Sequence, residues 1–389
     1  MNIAGMISTN VKSVPPSGIR KYFDMINGMK DVISLGIGEP DFITPYNIVD
    51  AGISSLQKGK THYSSNAGLI ELREEIVKYL EEKIGVSYNA KTQVIVTVGA
   101  SESIDLALQS LVVTGDEVII PEPSFVAYKG CTAFTGATPV VINLREEDNF
   151  KLTPCQLENA ITEKTKIVIL PFPNNPTGAV LSKEEVAALA EVLKDKNVIV
   201  ISDEIYSELI YKGKHTSIAS FPGMKDKTLV INGFSKAFAM TGWRIGYVCG
   251  HPDLIAAMVK IHQYAIMCSP TTAQYAAIEA LRRGGGAVDK MVQEYNARRK
   301  ILVKGFNEMG LNCFEPFGAF YVFPCIKSTG LSSDEFCEKL LKEEKVLVVP
   351  GNAFGECGNG FIRATYANSM DNLVNALKRI RNFVDKIKQ

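Results

Sequence analysis

The sequence predicts an α/β protein: a large domain with a mostly parallel sheet between helices, plus a smaller α+β domain formed by both chain ends. Three observations carry this expectation. Apolar runs at Val94–Val98, Glu117–Ile120, Val140–Leu144, Lys166–Leu170, Val198–Ile201 and Thr228–Ile231 alternate with helical patterns. Strands that are apolar without interruption belong to a parallel sheet covered on both faces. Beyond residue 283 the texture changes to long helices and isolated short strands, and 389 residues exceed the comfortable size of one core. The division expected is residues 1–46 as the N-terminal segment of the small domain, 47–283 as the large domain and 284–389 as the C-terminal part of the small one.

The first forty-five residues are short and broken, with a strand-like Val32–Leu35 before GIGEPDF. From Leu69 the spacing of Leu69, Leu72, Ile76, Leu80 and Ile84 predicts an amphipathic helix closed by Gly85. A helix is expected from Ser101, another from Thr153-Pro154 with threonine as N-cap, and a third to Lys194 with Ser182 and Glu185 as a capping box. Arg282-Arg283-Gly284-Gly285-Gly286 reads as a boundary. It is followed by a helix from about Val288 to Met309, strand GAFYVFP, a helix near Ser333–Glu344, strands Val346–Val349 and Phe361–Ala367, and a closing helix from Met370.

Composition narrows the function. Forty-two basic residues balance forty-two acidic ones, so no nucleic-acid footprint or membrane surface is expected. The eight cysteines are scattered without C-x-x-C spacing, as in a reduced cytoplasmic protein, and the four histidines never approach H-x-x-x-H spacing, so no metal site is expected. No segment reaches eighteen uninterrupted apolar residues. A cytoplasmic location is the expectation. Gly59-Lys60-Thr61 looks like the end of a P-loop, but residue 54 is serine and no apolar strand precedes it.

Ligands of open parallel sheets bind at the carboxyl ends of strands, so the residues following each apolar run matter most. Gly99-Ala100-Ser101 offers bare amides at a helix N-terminus, a seat for phosphate; Ser101 as a plain N-cap explains it equally. In PFPNNPTG, Asn175 can donate to a phenolate oxygen or make an ordinary turn. Asp203, at the end of a buried strand, needs a cationic partner such as a protonated pyridine nitrogen, unless it caps a helix; Tyr206 is a further donor one turn away. Lys236 sits among Phe234, Ala237, Phe238, Ala239 and Met240, where a lysine either snorkels to water or has its pKa lowered for Schiff-base chemistry. Arg244 follows in Gly-Trp-Arg-Ile-Gly, whose glycines let backbone approach a ligand. Arg363, on an alternating strand, wants a planar carboxylate, from a substrate or from a structural ion pair.

Together NNPTG, SDEIY and FSKAFAMTGWRIGY resemble the fold-type I, class I/II aminotransferases of the aspartate/aromatic type, over about Ile33 to Ser369. The resemblance implies the PLP transferase fold type I and pyridoxal 5'-phosphate as cofactor. It implies Lys236 as Schiff-base lysine and proton shuttle, Asp203 on the pyridine N–H, Asn175 and Tyr206 on the ring 3-oxygen, and Arg244 with Gly99, Ala100 and Ser101 on the phosphate. Ser235 falls where a phosphate contact is usual; two residues earlier, where relatives often have a second serine, stands Gly233. Phe125 falls where an aromatic ring stacks on the cofactor, although a core aromatic reads the same way. Arg363 would bind the substrate α-carboxylate, helped by Asn175 and the Gly38 backbone. Tyr63, in GKTHYSSNAG, would reach the cofactor phosphate of a partner subunit, making a homodimer with shared active sites.

The expected activity is amine transfer between an L-amino acid, of aspartate or aromatic type, and a 2-oxo acid such as 2-oxoglutarate, in ping-pong order. N-acetyl-diaminopimelate is an alternative donor, from a resemblance spread over Val14–Phe23 and GKTHY. His62 stands where some dicarboxylate-preferring relatives carry lysine, which weakens the aspartate reading. A PLP carbon–sulfur lyase is the sibling alternative. A ligand-sensing regulator of this fold would need a fused DNA-binding module, and fewer than fifty residues precede the matched region. A nicotinamide dehydrogenase fits worst, because Gly36-Ile37-Gly38 lacks the third glycine of its fingerprint.

Overall fold

A computed structural model describes residues 2–16, 18–25 and 28–388. Part of the substrate-related stretch Val14–Phe23 therefore lies outside the described residues. The strands in chain order are β1 (Ile33–Ser34), β2 (Val94–Thr97), β3 (Glu117–Glu122), β4 (Thr138–Asn143), β5 (Thr165–Leu170) and β6 (Ile199–Asp203). They continue with β7 (Thr228–Gly233), β8 (Gly246–Cys249), β9 (Tyr321–Val322), β10 (Val346–Leu347), β11 (Val349–Pro350) and β12 (Ile362–Thr365).

Seven of these form the central sheet in the order β2-β8-β7-β6-β5-β3-β4. All neighbours from β7 through β4 pair in parallel, as uninterrupted apolar runs require. β8 is antiparallel to both β2 and β7. GWRIGYVCG had not been read as a strand, because it is short and begins at glycine. Its reversed direction has one consequence for the site: the start of β8, not its end, lies at the sheet edge where its neighbours finish. The two smaller sheets join distant parts of the chain. β1 pairs in parallel with β10, and β11-β12-β9 is antiparallel.

Helix boundaries follow local chemistry. Leu72, Ile76 and Leu80 are buried along the helix Ile70–Ile84, which stops at Gly85 in the left-handed conformation. Both expected caps are present: Thr153 accepts from the Gln156 amide, and Ser182 with Glu185 forms a reciprocal box. Ser332 with Glu335 makes a third box for the helix Ser333–Glu344.

Three expectations need correction. The helix after β2 begins at Gly99, so Ser101 is an internal first-turn residue and not its N-cap. β3 does not end at Pro121 but runs to Glu122; the proline is tolerated because pairing with β5 ceases at Ile119 and Val168. The glycine-rich boundary is a tight junction, Gly284, between helices Thr271–Arg283 and Gly285–Glu308. The helix Tyr46–Gln57, just after the stretch that read as broken, had not been anticipated. It is anchored by buried Ile48, Gly52 and Ser55, too few apolar anchors to announce a helix by themselves.

The capping box at Ser182 gives a direct stability test. Ser182→Ala is expected to cost about 1 kcal/mol, the usual value of an N-cap hydroxyl. Denaturant midpoints should fall accordingly, and an unchanged midpoint would contradict the assigned role of this cap.

Candidate active site

The carboxyl ends of β2, β3, β5, β6 and β7 open onto one cavity of about 360 Å³. Ala100 and Ser101 enter it from behind β2, Phe125 and Tyr128 from behind β3, and Asn175 from behind β5. Asp203 and Tyr206 come from β6 and its following turn, and Ser235 and Lys236 from the turn after β7. Arg244 arrives from just before β8, as that strand's reversed direction allows. Gly38, Tyr321 and Arg363 complete the wall from the region of the smaller sheets.

Lys236 does not snorkel to open water. Its Nζ donates to the Gly38 carbonyl at 2.7 Å, and the rings of Phe320 and Tyr206 lie 5.7 and 5.8 Å away. Burial first, then the positive charge of Arg363, lowers its pKa to about 8. The neutral amine is thus accessible near neutral pH.

Asp203 is 5% exposed and accepts from the Tyr128 hydroxyl at 2.7 Å and the Ile205 amide at 3.1 Å. No helix begins here, so the carboxylate is not a helix cap. Burial raises its pKa, and those two hydrogen bonds act the other way. Tyr128 had not been anticipated. It lies three residues after Phe125, whose ring it meets edge-on at 5.8 Å, and in sequence it reads as one more core aromatic.

Arg363 is 3% exposed and has no carboxylate partner among the described residues. Its guanidinium donates to Asn175 Oδ1 at 2.9 Å and to the Gly36 carbonyl at 2.6 Å. The rings of Tyr321 and Phe354 flank it at 4.5 and 4.7 Å, while its Nε finds no acceptor. The structural ion pair weighed from sequence is therefore not what holds it. Asn175 is free for this contact because its neighbour makes the turn: Asn174 Oδ1 accepts from the amide and hydroxyl of Thr177. Tyr321, also unanticipated, bonds the Tyr206 hydroxyl at 2.9 Å, and a Cβ on Gly38 would lie 2.5 Å from its oxygen.

Arg244 is exposed, adopts a left-handed backbone (φ 53°) and donates to the Thr241 carbonyl at 2.9 Å. Gly99, at φ 77°, lies against it: a Cβ there would sit 2.7 Å from Arg244 Nη2. The glycines around Arg244 work differently from expectation. Gly242 has nothing within 4 Å, whereas a Cβ on Gly246 would lie 2.7 Å from Gly99 C and Ala100 N. Gly246 thus admits the Gly99–Ala100 backbone itself. Tyr63 is 82% exposed and does not line this cavity.

Comparison with known proteins gives the family. The family model for aminotransferase class I and II matches residues 30–380. A putative aminotransferase of Bacillus subtilis, YugH, is 51% identical over 98% of both chains. The aspartate aminotransferase of Pyrococcus abyssi is 46% identical over 96% of this chain and 97% of its own. The crystal structure of the aromatic aminotransferase from Pyrococcus horikoshii superposes with a TM-score of 0.91 at 43% identity, covering 95% of this chain and 99% of that one. The chain belongs to the class I and II aminotransferases, enzymes that depend on pyridoxal phosphate.

Proposed function

We propose that this protein transfers the amino group of an L-amino acid, of aspartate or aromatic type, to 2-oxoglutarate in ping-pong order. The observation that carries the reading is Arg363: a buried guanidinium without a carboxylate, facing the same cavity as a lysine of depressed pKa. Burying an unpaired cation is costly, and a substrate α-carboxylate is the partner whose planar geometry matches it.

The residues present fit the cofactor. Gly99, Ala100, Ser101, Ser235 and Arg244 would hold its phosphate; the fit is supported by the cradle at Gly99, which any larger residue would fill against Arg244. Asp203 would hold the proton on the ring nitrogen, with Tyr128 orienting its other oxygen. Asn175 and Tyr206 would hold the ring oxygen, Phe125 would cover the ring, and Lys236 would hold the aldehyde carbon. Bound there, pyridoxal phosphate supplies an electron sink for the pair left when a proton leaves the substrate Cα.

Arg363 then fixes the substrate carboxylate, helped by Asn175 and by the backbone at Gly38. Once its own bond to the cofactor is released, Lys236 Nζ would take the proton from the substrate Cα and hold it for return; a pKa of about 8 suits the free amine to both near neutrality. Tyr63 would complete the phosphate site of a second copy. Its exposure, with that of Ile43 at 89%, Tyr46 at 81% and Tyr264 at 86%, is what supports a homodimer.

Three outcomes test this reading. Purified protein should absorb in the near-ultraviolet or visible range, and Lys236→Ala should abolish that band; wild-type protein that binds no added pyridoxal phosphate would sink the proposal. Arg363→Ala should keep the cofactor spectrum while raising the donor concentration needed for half-conversion by about a hundredfold, the 2–5 kcal/mol of a lost buried charge pair. A panel of donors scored by that spectrum should convert fastest with aspartate or an aromatic amino acid. Preference for N-acetyl-diaminopimelate would move the reading to that substrate, and release of pyruvate and ammonia from a cysteine thioether would favour the lyase.

A fourth outcome concerns pH. In the cofactor-free protein the folded Lys236 has a pKa of about 8 against 10.5 for the unfolded chain. The folded state therefore binds fewer protons between those values, and its stability should rise over that window. Lys236→Met, cofactor-free, should melt higher than wild type at pH 7 and lose that advantage toward pH 10. Parallel melting curves for the two would mean that the lysine is not desolvated.

A further inference from the structure

Glu102 and His262 play no part in the reading above, and neither lines the cavity. Glu102 touches the turn that would hold the phosphate, and His262 touches Glu102. Glu102 lies in the first turn of the helix Gly99–Leu111, and one of its carboxylate oxygens accepts from the Val98 amide. The other lies 2.8 Å from His262 Nδ1. His262, on the helix Pro252–Ala265, has a wholly buried side chain, and the side chain of Glu102 is only 16% exposed. A carboxylate can only accept, so the proton in this bond is on His262 Nδ1.

A glutamate in an exposed first turn ordinarily leaves its carboxylate in water. Here it turns back to the residue that precedes the helix, and a buried imidazole holds it there. A helix leaves its first backbone amides without intrahelical acceptors. Glu102 takes the one at Val98. Those of Gly99, Ala100 and Ser101 stay available to an anion. The peptide it fixes is Thr97–Val98, immediately before the one leading into Gly99, whose positive φ shapes the turn. Around it, Thr97 Oγ1 donates to the Gly99 carbonyl at 3.1 Å and bonds Ser103 Oγ at 2.8 Å. Gly246 packs against Gly99 and Ala100 from β8. The turn is thus gripped by its neighbours on several elements, and among the described residues Glu102 is the only charged side chain outside the cavity that bonds it.

We propose that Glu102, oriented by His262, is a positioning residue for the cofactor phosphate, holding the Thr97–Val98 peptide so that the next three amides, of Gly99, Ala100 and Ser101, converge on it. The inference rests on the reading that the phosphate sits at Gly99–Ser101. It separates this pair from Arg244, which would touch the phosphate directly.

The test compares pyridoxal phosphate with pyridoxal, which lacks the phosphate. Holoenzyme is stripped of cofactor, and dissociation constants for both compounds are measured by absorbance. Glu102→Ala is expected to weaken pyridoxal phosphate about tenfold and leave pyridoxal unchanged. Glu102→Gln, which keeps an oxygen for the Val98 amide, should recover most of the loss. Should the alanine variant not fold, His262→Phe removes the orienting donor and must give the same selective loss, smaller in size. Arg244→Ala is the reference. If it discriminates between the two compounds while the Glu102 and His262 variants weaken both equally or neither, the inference is overturned and the site reading stands. If Arg244→Ala also fails to discriminate, the phosphate is not held here, and both fall.

Discussion

The site depends on keeping two cations out of water at the meeting point of separate sheets. Among the described residues neither Lys236 nor Arg363 has a carboxylate within hydrogen-bond reach; each is instead held by a backbone carbonyl and aromatic faces, and Arg363 by an amide oxygen as well. Such partners orient a cation without neutralising it. The surrounding core therefore carries an electrostatic cost in the cofactor-free protein that an anionic ligand removes. Because Arg363 also lowers the pKa of Lys236, the two costs are coupled: the group suited to fix a carboxylate helps to make the base.

The parallel sheet makes this arrangement possible. Five strand ends deliver side chains to one cavity, and the reversed β8 delivers Arg244 there by its beginning. The small sheets supply what the large one lacks. β12 brings Arg363, the segment after β1 brings Gly36 and Gly38, and β9 brings Tyr321. Gly36 and Arg363 are 327 residues apart in sequence, and the pieces are brought together as β1 pairs with β10 and β12 with β9.

Much of this was legible beforehand, for an identifiable reason. Asp203, Lys236 and Arg363 are charges placed in apolar strands or directly after them, where their presence demands explanation. Tyr128 and Tyr321 escaped because a tyrosine among apolar residues looks like core, and only a tertiary contact reveals what its hydroxyl meets. Glu102 escaped for the opposite reason: an acidic residue in a first helical turn is ordinary, and nothing local shows that its carboxylate is shielded. β8 was missed because four residues starting at glycine carry too little pattern. The role of Gly246 was misread because close approach to a ligand and close approach to another backbone place the same demand on a glycine.

The hydrogen bond from Lys236 to Gly38 has a directional consequence. A carbonyl oxygen offers only lone pairs, so it engages an N–H and never the nitrogen's own lone pair. When the amine is neutral, one of its hydrogens is turned toward Gly38 and its lone pair must point along another tetrahedral direction. The glycine carbonyl thereby aims the nucleophile, through backbone that no side-chain substitution can remove.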